Sequence, residues 1–71
     1  MITLTYELDR EDDGRWIAEV VELPGVLAYG GIRDEAIKAA HALALRVLAD
    51  QVAHGERAPV DGYWFRDAAD E

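Results

Sequence analysis

The sequence predicts an α+β fold in the order β-β-β-α-β: an antiparallel three-stranded meander packed on one long helix, with a short C-terminal strand. Two patterns carry this prediction. Residues 2–9 alternate between apolar and polar side chains, and residues 33–54 are rich in alanine with helical periodicity. Because 71 residues support one hydrophobic core, we predict a single domain over residues 1–71 and no separate DNA-binding domain.

The first two strands are predicted to form a hairpin. Residues 2–9 alternate with period two, which indicates a half-buried strand. Asp13 and Gly14 end the polar run that follows, and they supply the positive φ angles that tight turns require. The second strand, over about residues 15–23, carries apolar side chains on both of its faces. It therefore needs an apolar neighbour on each side of the sheet.

A short third strand and the helix follow. Pro24-Gly25 breaks the pairing, and residues 26–29 are predicted as a strand. The helix is predicted over residues 33–54, with Gly55 as its C-terminal cap. At 100° per residue its apolar stripe consists of Ile37, Ala40, Ala44, Leu48 and Val52, with Val47 and Leu45 on its flanks. This stripe should lie on the sheet.

Three consecutive aromatic residues, Tyr63, Trp64 and Phe65, precede an acidic end at residues 66–71. Leaving three aromatic side chains in water is costly. The segment is therefore predicted either as a fourth strand, the favoured reading, or as a tail that docks on a partner.

Composition narrows the class of protein. The chain has no cysteine, which excludes a disulfide framework, and a domain this small finds its stability in packing or in self-association. The net charge of -8 repels nucleic acid and attracts basic protein surfaces, although it also serves solubility alone. Neither a basic leader nor a long apolar run is present, so we expect a cytoplasmic protein with no membrane contact.

Residues 13–26 (DGRWIAEVVELPGV), the helix opening at 34–37 (DEAI) and residues 55–59 (GERAP) occur in an order and spacing that resembles the HicB-like antitoxin family. The similarity covers about residues 2–60. It implies a partial RNase H-like fold that commonly dimerises and that covers a small basic mRNA-cleaving toxin, HicA. The activity implied is inhibition by binding.

The chain departs from the family pattern at three positions. Val21 stands where proline is often found, Ile32 where a capping threonine is frequent, and Ala39 where asparagine is common. We therefore expect a weakly capped first helical turn. Full-length antitoxins of this family usually continue into a helix-turn-helix or ribbon-helix-helix, so we expect no direct nucleic-acid binding from these 71 residues.

One helix covers only one face of a small sheet, so part of the apolar surface must meet something else. We predict a protein interface that includes Trp16, Ile17, Val21, Leu27, Tyr29, Tyr63, Trp64 and Phe65. The sequence leaves open which face of the sheet meets the helix, and whether residues 63–65 fold back over the other face. The expected partners are a second copy of the chain, as a homodimer or higher homo-oligomer, and a HicA-like toxin.

The sequence predicts no enzyme. The chain has no serine or cysteine nucleophile, and no catalytic residue, cofactor or metal site is expected. His41 and His54 lie near 20 Å apart along the predicted helix, too far to share a metal ion. Two alternatives remain: an orphan interaction or ligand-binding domain without a toxin, and a divergent metal-dependent nuclease. The nuclease would have to use Glu7, Asp9, Glu22 and Glu35.

Overall fold

The computed structural model describes residues 1–69, so Asp70 and Glu71 of the acidic end lie outside the described residues. The four strands are β1 (Ile2–Arg10), β2 (Trp16–Val20), β3 (Leu27–Gly30) and β4 (Tyr63–Asp67), and the helix α1 (Arg33–Ala53) lies between β3 and β4. This order confirms the predicted α+β fold.

The strands form one mixed sheet in the order β3-β2-β1-β4. Strands β1, β2 and β3 are an antiparallel meander, as expected. Strand β4 pairs with the free edge of β1 in parallel, with Ile2 opposite Tyr63 and Leu4 opposite Phe65. The aromatic run is therefore a strand of the sheet and not a docking tail.

The hairpin between β1 and β2 closes through a three-residue loop. Glu11 N–H donates to the Arg15 carbonyl at 2.7 Å, and Gly14 N–H donates back to the Glu11 carbonyl at 2.9 Å. Of Asp13 and Gly14, only Gly14 has a positive φ, at 90°. The prediction that Asp13 shares this conformation is wrong, because a type I turn followed by one left-handed glycine closes a loop of this length.

Strand β2 is shorter than predicted and ends at Val20. The chain turns at once, because Leu23 N–H donates to the Val20 carbonyl at 3.1 Å and Val26 N–H to the Leu23 carbonyl at 3.0 Å. Leu23 and Val26 are buried in the core from this turn. Their apolar character, which suggested a longer β2 and an earlier β3, belongs to loop residues that close the end of the core.

Helix α1 is capped at its C-terminus but lacks a side-chain cap at its N-terminus. Gly55 has φ 74°, and Glu56 N–H donates to the Gln51 carbonyl at 2.8 Å, so the predicted glycine cap is confirmed. At the other end Ile32 occupies the N-cap position and gives no side-chain hydrogen bond. Glu35 compensates in part, because its carboxylate accepts the Gly31 N–H at 3.0 Å.

Replacing Ile32 with threonine should stabilise the fold by about 1 kcal/mol, since a hydroxyl at the N-cap accepts one of the unpaired N–H groups of the first turn. Ile32 is 58% exposed, so little burial is lost. Urea denaturation would measure the gain. Ile32→Val is the matched control, because valine has the shape of threonine without the hydroxyl. A gain shared by both variants would assign the effect to the lost isoleucine instead.

The core lies between α1 and one face of the sheet. Four alanines are fully buried where helix and sheet meet: Ala18 on β2 and Ala36, Ala40 and Ala44 on α1. Larger side chains surround them, namely Leu4, Tyr6, Val20 and Leu48. The small contact residues let the helix approach the strands closely.

The flanks of the helix stripe differ from the prediction. Leu43 and Val47 pack against the core, whereas Leu45 is exposed. Val47 was predicted correctly, and Leu45 was not. Leu45 lies too far around the helix to reach a sheet that is centred under Ala40 and Ala44.

Candidate functional site

The register decides which face of the sheet is free. Leu4, Tyr6, Ala18 and Val20 are buried beneath α1, so the residues between them point to the other side, which we call the outer face. Of the predicted interface residues, the outer face holds Ile17, Val21, Leu27, Tyr29 and Trp64.

The other three predicted interface residues, Trp16, Tyr63 and Phe65, lie on the helix side and pack against the core. These side chains are partly buried by the core of the same chain, so their burial requires no partner. Tyr63 and Phe65 point to this side because they are opposite Ile2 and Leu4 in the β1–β4 register. The aromatic segment thus extends the core at one edge and does not cover Ile17, Leu27 and Tyr29.

Apolar and acidic side chains alternate on the outer face. Across β1, β2 and β3 they form two rows, Asp9-Ile17-Tyr29 and Glu7-Glu19-Leu27. Leu27 is 36% exposed and Tyr29 43% exposed, and Val21, at the end of β2, is 46% exposed. A shallow cleft of about 320 Å³ opens beside Ile17 and is lined by the carboxylates of Glu7, Asp9, Glu11 and Glu19. An apolar patch (Ile17, Leu27 and Tyr29) therefore adjoins an acidic strip.

The acidic strip contains an unfavourable cross-strand pair. Glu7 and Glu19 are directly opposite each other in the β1–β2 register, where like charges repel. Among residues 1–69, neither carboxylate has an ion-pair partner. Two arginines of the β1–β2 hairpin are engaged elsewhere: Arg15 pairs with Asp13 at 2.8 Å and its guanidinium carbon lies 4.6 Å from the Tyr29 ring centre, and Arg10 lies over Trp16. Arg66 is opposite Thr5 on the outer face, where its charge acts on Glu22.

Sequence reasoning missed this pair. It named Glu7 only among the carboxylates of the nuclease alternative and gave Glu19 no role, because their juxtaposition depends on the β1–β2 register. The three-residue loop sets that register. The available signal was the period-two alternation of β1, which places Glu7 on its polar side, together with the length of the hairpin loop.

Other acidic residues have local partners. Glu22 accepts hydrogen bonds at 2.7 Å from both the N–H and the hydroxyl of Thr5. Burial, the largest single influence, raises the pKa of Glu22, but the Thr5 hydrogen bonds and the charge of Arg66 outweigh it, and the net pKa is lowered. Asp67 pairs with Arg33 at the start of α1, on the helix side of the sheet.

The four carboxylates named for a nuclease are not brought together. Glu7 and Asp9 lie on the outer face, Glu22 is bound to Thr5, and Glu35 binds Gly31 at the helix start. No cluster of three or more histidine, cysteine or acidic side chains within residues 1–69 has the arrangement to hold a metal ion.

A small aromatic cluster joins α1 to β1 and β4. The Tyr6 hydroxyl and His41 Nδ1 form a 2.7 Å hydrogen bond, and the His41 ring stacks on Phe65 with centroids 3.7 Å apart. Burial raises the pKa of Tyr6. His41 therefore has a structural role, since both its hydrogen bond and its ring contact tie α1 to the sheet. His54 instead bonds to the Asp50 carbonyl at the helix end.

Comparison of the chain with protein-family models, with curated proteins and with solved structures gave no match. The site therefore rests on its own geometry: an α+β domain whose uncovered sheet face pairs an apolar patch with carboxylates. In the described part of the chain, no helix is both long enough and apolar enough to cross a membrane.

Proposed function

We propose that this chain is a protein-binding module whose outer face docks a basic protein. The observation that supports this most is the Glu7–Glu19 pair. Two carboxylates that face each other without a cation weaken the sheet. A lysine or arginine from a partner would lie between them and turn this repulsion into attraction.

The apolar patch supplies the other half of the surface. Ile17, Leu27 and Tyr29 are contiguous across β2 and β3, and an aromatic residue beside aliphatic ones is typical of interface centres. Affinity would come mainly from burying this patch. The acidic strip would speed encounter and select for a basic partner.

The resemblance to HicB-like antitoxins indicates which basic protein to test first. A small basic mRNA-cleaving toxin of the HicA type would be neutralised by being covered, with no chemistry by this chain. The complex would form in the cytoplasm, where such a toxin meets mRNA.

The test is to titrate the chain with a small basic HicA-like protein, and to follow binding by calorimetry and RNA cleavage by gel. We expect Glu19→Gln to weaken binding about tenfold, which is about 1.4 kcal/mol, and to reduce its salt dependence. The same change should stabilise the free chain by about 0.5 kcal/mol, because it removes the repulsion from Glu7.

Glu56→Gln is the matched control, since it removes the same charge from an exposed position just after the helix. It should leave both binding and stability near those of the original chain. Equal weakening by the two variants would reduce the effect to net charge and would contradict a docking site on the outer face. Absence of binding by the original chain would favour the orphan domain.

A further inference from the structure

Arg15 is held in a fixed orientation beside the apolar patch. Its N–H donates to Asp13 Oδ1 at 3.1 Å and its Nε to Asp13 Oδ2 at 2.8 Å, while its guanidinium carbon lies 4.6 Å from the Tyr29 ring centre. Within residues 1–69 these contacts use neither terminal nitrogen of the guanidinium, and the side chain is 55% exposed. Arg15 therefore presents a cation in a set position, with two nitrogens free to bind an anion.

The outer face thus has charges of opposite sign on the two sides of the apolar patch. In the β2–β3 register Ile17 is opposite Tyr29, so Glu19 is one strand and two residues away from Tyr29. With about 4.8 Å between strands and about 6.7 Å between successive residues on one face, these two positions are about 8 Å apart. Arg15 lies on the far side of Ile17 from Glu19, and the Glu7–Glu19 pair is centred between β1 and β2. The cation is therefore about 10 Å from the acidic pair.

An α-helix is the element that fits this arrangement. The backbone groups of the two central strands, β1 and β2, bond within the sheet, so the outer face offers only side chains to a partner, as the other face does to α1. Two helical turns span about 10.8 Å, which matches the distance from Arg15 to the acidic pair. Same-face residues of a strand are about 6.7 or 13.4 Å apart, which matches it less well.

We infer that the outer face binds an amphipathic helix with a carboxylate at position i, apolar residues at i+3 and i+4, and a lysine or arginine at i+7. The carboxylate pairs with the terminal nitrogens of Arg15. The apolar side chains cover the apolar patch, and the cation lies between Glu7 and Glu19. This inference rests on the proposed function and specifies its partner more closely: the binding helix of the basic protein also has one acidic residue, two turns from its cation.

Arg15 is then the residue that determines which basic helices bind. A helix that carries only cations would bring a like charge to Arg15, and like charges across an interface select against a partner. Net positive charge alone is therefore insufficient for binding, and the position of a single carboxylate decides between basic partners.

The test is an NMR titration of the full chain with an alanine-based helical peptide of about 17 residues that has Glu, Leu, Leu and Lys at i, i+3, i+4 and i+7. Salt at about 0.15 M screens the long-range attraction. We expect amide shifts at Arg15, Ile17 and Leu27. Replacing the peptide Glu with Gln should raise the Kd about fivefold, as should Arg15→Gln, and the two changes together should weaken binding no further, because each removes the same ion pair.

The matched control peptide has the same composition, with its Glu moved by two positions to the opposite side of the helix, and it should bind like the Gln peptide. The peptide comparisons leave the chain unchanged, so they hold even if Arg15→Gln loosens the hairpin. A peptide with Lys at i should bind Arg15→Glu more tightly than it binds the original chain, which a purely structural role of Arg15 would not produce.

The absence of amide shifts at about 1 mM peptide, or equal Kd values for the Glu, Gln and displaced-Glu peptides, would overturn the inference. The proposed function would survive that result if Glu19→Gln still weakened binding of the HicA-like protein. Binding of the peptide as expected, without any binding of the HicA-like protein, would support the inference and contradict that choice of partner.

Discussion

Gly30→Ala should destabilise the fold by about 3 kcal/mol, at the upper end of the cost of overpacking a core. A Cβ at this position would lie 2.4 Å from the Ala36 nitrogen and 2.8 Å from the Glu35 carbonyl carbon. Both are backbone atoms of the first helical turn, so no side chain can rotate away. The start of α1 would have to lift from β3.

Urea denaturation of Gly30→Ala against Gly62→Ala would measure this effect. Neither glycine has a positive φ, and a Cβ on Gly62 would meet only the flexible Met1 side chain at 3.8 Å. The Gly62 variant should therefore change stability by less than about 1 kcal/mol. If the stability of Gly30→Ala were equally close to that of the original chain, the start of the helix would have to move freely over the sheet.

Local sequence signals were sufficient for the elements but not for this contact. Period-two alternation predicted β1, and alanine content with a glycine cap predicted α1 to within one residue. Gly30 and Gly31, by contrast, have no local pattern that predicts a close contact with the helix. The need for glycine at position 30 comes from the approach of a helix that begins three residues later, which is a tertiary relation with no local signature.

The sequence predicted which residues share a face of β2, but it did not predict which of the two faces is left uncovered by the helix. The alternation of β2 identified Ile17 and Val21 on one side and Ala18 and Val20 on the other, but both sides are apolar, so the sequence could not choose between them. Packing decides which face meets the helix, because the small Ala18 fits beneath the buried alanines of α1. The Glu7–Glu19 pairing then followed from the register.

The same reasoning explains the aromatic segment. Its composition predicted burial or docking, and strand pairing with β1 gives burial to Tyr63 and Phe65 only. Trp64 is left 59% exposed on the outer face, separated from Ile17 by β1. A C-terminal strand joins the sheet edge that lies near the end of the preceding helix. Local sequence patterns do not encode the position of that helix end.

Leu4→Ala should destabilise the fold by about 3 kcal/mol, since a buried leucine shortened to alanine loses its burial and leaves a cavity. Leu4 is only 1% exposed and is one of the two largest fully buried side chains. Folded domains have about 5–15 kcal/mol of total stability, so in a chain this small the loss should lower the urea midpoint severely.

Thr3→Ala is the matched control because Thr3 is the neighbouring residue on β1 and points to the exposed side. It should change stability by less than about 0.5 kcal/mol, as most surface substitutions do. Comparable losses in both variants would mean that β1 is buried on both faces, which would leave no free surface for a partner. A large loss of stability for Leu4→Ala alone would assign the core to the helix side of the sheet. Ile17, Leu27 and Tyr29 would then be available for contacts with other chains, because the two faces of one strand cannot exchange roles without a shift in register.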